Sequence, residues 1–421
     1  MNVTSARALA LAVLLAASEA RAIEPWTSED GESSLEVRSF YKTFWTALRM
    51  PHAFVDATEA SAPTPDIPLY GLTTAYTGRI WSTLSLVDRV ELQAGWQVDA
   101  LAATDRAFLR GATLATPVVD RASRRLVDFD PMLAEEERLL VQHNLDLLSV
   151  KLRASFADVI VGRQVMSWGS GRLWNPTDLL SPFAPTDIDR EVRRGVDAVR
   201  VSIPLASTAQ LELLYLPQLE PEDQGAVVRA QSNIAGFDIA PSVAKYLRDI
   251  VFGFDVSGDI GPVGIHGELA WTTTLDAEER FLRAVGGFDV RPIEELVLTA
   301  EYYFNGWGAH DPSGYLDVLR SDRVARGEVF GAGRHYLGLV AAWQVSELVT
   351  LNTVTITNLQ DPSVIIIPAL EYWAHQDILL RIGNYVPLGR APTPVLPDLG
   401  LRSEYGASPF GFFAQLTVHL L

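Results

Sequence analysis

From Ser34 onward the chain alternates apolar and polar residues with a period of two. Val90, Leu92, Ala94, Trp96, Val98 and Ala100 fall on one side, and Glu91, Gln93, Gly95, Gln97 and Asp99 on the other. Strands with one apolar face alternate in this way. Val263, Ile265, Leu269 and Trp271 repeat the design against His266 and Glu268. Leu296, Leu298, Ala300, Tyr302 and Phe304 do so against Thr299, Glu301, Tyr303 and Asn305, and Leu337, Leu339, Ala341 and Trp343 against Gly338, Ala342 and Gln344. A strand of about ten residues tilted near 45° covers roughly 25 Å, the height of the apolar band of an outer membrane.

The links between these strands follow a rhythm. Short ones fall at 87–89, 156–158, 206–208, 259–262, 291–294, 345–347 and 374–376; long ones fall near 46–71, 103–142, 169–195, 218–249, 307–333 and 388–408. The pattern predicts an all-β fold, a transmembrane antiparallel β-barrel of about sixteen strands (within about fourteen to eighteen), with short periplasmic turns and long extracellular loops. Trp96, Trp168, Trp271, Trp307, Trp343 and Trp373 stand near predicted strand ends, as in interfacial belts. No repeat period points to a propeller. Pro368 inside Val364–Ala374 predicts a shortened or bulged strand. The charged run Glu135–Arg138 predicts a short loop helix over Met132–Gln142.

Composition sets the compartment. Arg7 precedes an apolar run, Ala8–Ala17, and Ala20-Arg21-Ala22 offers a cleavage site. Residues 1–22 therefore read as a signal peptide and 23–421 as one barrel domain, with a constriction loop at 169–195. The run is too short to cross a bilayer, and no later one is long enough for a transmembrane helix. The chain has 421 residues, a net charge of −18 and no cysteine. Such acidity argues against nucleic-acid binding, which needs a basic surface.

The charged chemistry concentrates between Val159 and Val201. A β-branched strand breaks at Gly169-Ser170-Gly171, a polar loop follows, and a second strand returns at Ala198–Pro204. Lys151, Arg153, Arg163, Arg200, Arg283 and Arg381 lie in predicted strands. A charge facing lipid at mid-bilayer costs about 2–4 kcal/mol, so these side chains are expected to face a lumen, opposite Glu91, Asp99, Glu212, Glu268 and Glu301. The candidate pore and selectivity residues are Lys151, Arg153, Arg163, Arg172, Asp178, Asp187, Asp189, Arg190, Arg193, Arg194 and Arg200. No catalytic, metal or cofactor set emerges. The seven histidines are scattered, and Gly169-Ser170-Gly171 lacks the setting of a nucleophile elbow.

Gly162-Arg163-Gln164, Trp168-Gly169, Arg172, Asn175-Pro176-Thr177-Asp178 and Val196-Asp197-Ala198-Val199-Arg200 resemble a signature of Gram-negative porin-like outer-membrane barrels. The G-R-Q and D-A-V-R parts are also similar to alginate-export-type barrels, from which the N-P-T-D element departs. Phe410–Leu421 resembles the C-terminal strand that the barrel assembly machinery reads, with leucine in place of the usual final phenylalanine. The resemblance implies an outer-membrane channel for small hydrophilic solutes, anionic ones among them. The alternatives are a conduit exporting an acidic exopolysaccharide, and a barrel enzyme or structural barrel. The implied partners are outer-membrane lipid, the assembly machinery, and small polar or acidic solutes or polysaccharide.

Overall fold

The computed structural model describes residues 23–52, 68–109, 125–127, 129–277, 279–395 and 398–420. The signal-peptide reading and the final leucine lie outside them. The N-terminal strands are β1 (Ile23–Thr27), β2 (Ser34–Arg49), β3 (Tyr70–Leu86), β4 (Val90–Ala103), β5 (Met132–Glu136) and β6 (Leu139–Arg153). Next come β7 (Asp158–Gln164), β8 (Val196–Ala206), β9 (Ala209–Leu216), β10 (Gly225–Ile234), β11 (Phe237–Tyr246) and β12 (Asp249–Ile260). Then follow β13 (Val263–Thr274), β14 (Arg280–Ile293), β15 (Leu296–Asn305), β16 (His335–Ser346) and β17 (Val349–Asn358). The last are β18 (Ser363–His375), β19 (Ile378–Leu388), the short pair β20 (Thr393–Val395) and β21 (Asp398–Gly400), and β22 (Phe410–His419).

Each long strand pairs antiparallel with its neighbours, and β22 pairs with both β19 and β2, so the sheet closes. The ring has eighteen strands, with β1 and β5 added at its rims. Closure leaves no sheet edge, which a bilayer requires, because lipid offers no hydrogen bonds to a bare strand. The alternation then sorts the faces. Phe252, Leu269, Trp271, Phe288, Leu339 and Trp343 are exposed outside, while His266, Glu268, Arg283, Glu301 and Gln415 are buried within.

The strand count corrects the expected sixteen, and the extra pair is β10–β11. This hairpin occupies the stretch read as one long link, 218–249. Two features hid it. Pro241 sits in β11, where proline argues against a strand. Its turn is Ala235-Gly236, with φ of 53° and 88°, instead of the more visible Asn-Gly. Asn233 supplies its side-chain oxygen to the Gly236 N–H at 3.3 Å. The outer link from β11 to β12 is only Leu247-Arg248, which breaks the short–long rhythm.

Three further expectations are corrected. Met132–Gln142 is not helical; β5 folds back on β6, with Glu135 opposite Leu140 and Glu136 opposite Leu139. Pro368 neither shortens nor bulges β18, which runs unbroken past it with Pro368 opposite Thr353. Trp168 and Trp307 belong to loops and not to an outer belt.

Candidate functional site: a loop seated in the barrel

β7 stops at Gln164 and the chain does not re-enter the wall until Val196. Residues 165–195 carry no regular structure and touch inward side chains on widely separated strands. Met166 and Leu179 pack with Val196, Leu214, Val227, Ala244, Val251 and Ala270, on β8 to β13. Leu173 and Trp174 pack with Tyr303 and Tyr336, and the Trp174 and Tyr303 rings stack at 5.1 Å. On the third side Lys42 of β2 binds Asp189 and Glu191, each at 2.7 Å. Arg381 and Tyr385 of β19 donate to the carbonyls of Ile188 and Thr186 at 3.3 and 3.5 Å.

Buried carbonyl and N–H groups of an irregular segment need partners, and the loop's own charges supply many of them. Arg190 donates to the carbonyls of Arg172, Asp187 and Pro185 at 2.8, 3.1 and 3.0 Å. Asp187 accepts from the Ala184 N–H at 2.7 Å. Asp178 accepts from the Ser181 N–H at 3.2 Å and from Arg193 at 2.5 Å. Burial pushes the Asp178 carboxyl up, and the neighbouring Arg193 guanidinium pulls the other way. Ser181 Oγ donates to the Arg194 carbonyl at 2.6 Å. Arg172 reaches out of the loop to Asp289 at 2.9 Å.

A cavity of about 490 Å³ lies between Val165–Gly169 and the inner faces of β8, β9 and β10. Arg200, Gln210, Glu212, Arg229 and Gln231 line it. Arg200 binds Glu212, and Arg229 approaches the same carboxylate at 3.7 Å. Two guanidinium groups thus share one carboxylate. The buried Arg200 Nε has no hydrogen-bond partner among the described residues. Arg229 escaped the sequence reading because it lies in the hairpin taken for a loop. The alternation of Val227, Arg229 and Gln231 with Ala226 and Val228 was the available signal.

The remaining candidate residues lie elsewhere. Lys151 binds Asp158 at 3.1 Å and Arg153 binds Glu91 at 2.5 Å, beside the short turns 87–89 and 154–157 at one end of the barrel. Arg163 stands apart from the lumen set. It pairs with Asp197 at 2.8 Å, on the face of β7 shared with Val161, which is 47% exposed. Its Nη1 donates to the Leu145 carbonyl at 2.8 Å and its Nη2 to that of Val127 at 2.6 Å. Asp197 in turn accepts the Leu126 N–H at 2.8 Å. Gly162, at φ 118°, leaves no room for a Cβ, which would stand 2.2 Å from the Leu148 carbonyl oxygen. A Cβ on Gly195 would be 2.0 Å from the Asp146 oxygen. The Gly162-Arg163 and Gly195…Asp197 elements therefore close a seam in the wall, where β7 is too short to cover the upper part of β6.

A closed antiparallel barrel with a charged loop folded inside has the architecture of porins. Among solved structures the chain is similar to OccAB1 of Acinetobacter baumannii, with a TM-score of 0.55 and 10% identity over 96% of this chain and 99% of that one. A BenF-like porin of Pseudomonas fluorescens gives 0.56 and 9%, over 91% and 98%. OccK9 of Pseudomonas aeruginosa gives 0.56 and 10%, over 91% and 98%. The chain is thus a porin-like β-barrel by fold. No family model and no curated protein matches the sequence. The alginate-export resemblance finds no support in these comparisons.

Proposed function

We propose that the chain is an outer-membrane channel for small hydrophilic solutes that favours those bearing a carboxylate. The porin fold and the apolar outer face support the membrane location. The carrying observation is the cavity beside the loop, where Arg200 and Arg229 face one glutamate. A guanidinium is permanently charged and can fork to a carboxylate. Charge on outer loops is screened beyond about 8 Å at physiological salt, so local lumen charge governs selection despite the overall acidity. A loop anchored on three sides of the interior is a poor feature for a polymer conduit.

Reversal potentials in planar bilayers test this reading. The native protein is expected to conduct with a preference for anions, and Arg200→Ala with Arg229→Ala to lose roughly half or more of that preference. A native barrel that carries no current defeats the channel reading. A double variant with an unchanged anion-to-cation ratio removes these arginines from the filter.

A further inference from the structure

We propose that Glu268 and Glu301 form a latch that holds residues 169–177 across the barrel and thereby sets its aperture; this rests on the channel reading above. Both are positioning residues acting through the loop backbone. Glu268, on β13, accepts the N–H groups of Ser170, Gly171 and Thr177 at 2.8, 2.9 and 3.1 Å, and the Thr177 hydroxyl at 2.7 Å. Glu301, on β15, accepts the N–H groups of Arg172, Leu173 and Trp174, the last two at 3.0 and 3.4 Å. Two far-wall carboxylates thus take nearly every N–H of one irregular turn. Successive N–H groups arranged in this way make an anion-binding concavity, and here the wall supplies the anion.

The sequence around the two glutamates is shaped for this seating. His266, Gly287, Glu301 and Gly338 stand in register across β13 to β16. A Cβ on Gly338 would lie 2.3 Å from Leu173 Cδ1 and 2.7 Å from the Trp174 ring, so that glycine is the hole for the loop's apolar tip. A Cβ on Gly287 would lie 2.5 Å from His266 Nε2 and 2.7 Å from Glu301 Cγ. Its absence lets His266 reach Glu301 at 2.8 Å across β14. On the loop side Gly169, at φ 99°, would place a Cβ 2.6 Å from a Glu268 oxygen. The Trp168-Gly169-Ser170-Gly171-Arg172 run is then a backbone surface fitted to two carboxylates, which accounts for its glycines without catalysis.

The test is Glu268→Gln with Glu301→Gln in the full barrel, folded in detergent. Limited trypsin cleavage at Arg172, Arg190, Arg193 and Arg194 reads the seating without requiring conduction. The native loop is expected to resist, and the double variant to be cut there at least about tenfold faster, because an unseated segment opens locally. In bilayers its open-channel noise should rise severalfold. Equal cleavage rates in a folded double variant overturn the latch whether or not the native protein conducts; a silent native barrel with unequal rates overturns only the channel reading. If the double variant does not fold, Gly338→Leu and Thr177→Val replace it. The first blocks the hole and the second removes one donor, and native-like cleavage in both overturns the proposal.

Discussion

Deleting Pro176 to Arg190 is expected to raise single-channel conductance by roughly twofold or more, because the narrowest part of a pore dominates its resistance. The deletion removes the Ile188 and Thr186 carbonyls that meet Arg381 and Tyr385, and the Asp189 carboxylate held by Lys42. It also removes Leu179 from the apolar contact with β8 to β13. Contacts on the β2–β19 side are thus largely lost, while Ser170 to Trp174 keep their partners on β13 and β15. Lys42 loses one of its two carboxylates, so a modest gain in anion preference should accompany the larger current. Conductance unchanged in a barrel that still folds would show that this segment does not constrict the lumen. A change in ion preference alone would leave the loop as a charge carrier without a steric role.

The barrel was legible because one face of each strand is apolar and turned outward. Val90–Ala103 and Leu296–Asn305 alternate cleanly, since an error in register would turn Asp99 or Glu301 onto the apolar outer face. β10 and β11 were not legible, because their turn is Ala-Gly, their outer link is two residues long and one strand contains Pro241. Met132–Gln142 failed for a related reason. Its Glu135 and Glu136 sit in a rim strand, where solvent accepts charge that a core strand would refuse. The polarity of the loop was plain from sequence. The wall groups that hold it were not, because Glu268 and Glu301 lie 97 and 129 residues from the N–H groups they accept and bind backbone, which leaves no mark in a side-chain pattern. Arg163 shows the limit of the inward-charge rule. Burial from lipid can be met by a covering segment as well as by a lumen, and sequence alone does not distinguish the two.

Arg163→Ala should therefore act on the barrel and not on its filter. The side chain is 3% exposed and ties three segments to β7: β8 through Asp197, β6 through the Leu145 carbonyl, and the covering stretch through the Val127 carbonyl and the Phe129 ring 5.5 Å away. Truncation leaves two buried carbonyls and one carboxylate short of a donor. Removing one partner of a buried ion pair commonly costs about 3–5 kcal/mol, a large share of a domain's net stability. The expected result is a marked drop in the urea midpoint in detergent and a smaller fraction of heat-modifiable folded protein on gels. Arg163→Met with Asp197→Leu should recover part of that loss, because it leaves no unpaired charge under the covering stretch, while the Leu145 and Val127 carbonyls stay without their donor. The anion-to-cation ratio of the folded fraction should match the native value in both cases. A stable Arg163→Ala barrel whose ratio shifts toward cations would place this arginine at the lumen and overturn the seam. The contrast with Arg200→Ala, expected to change the ratio and spare the midpoint, separates wall from filter inside one short signature.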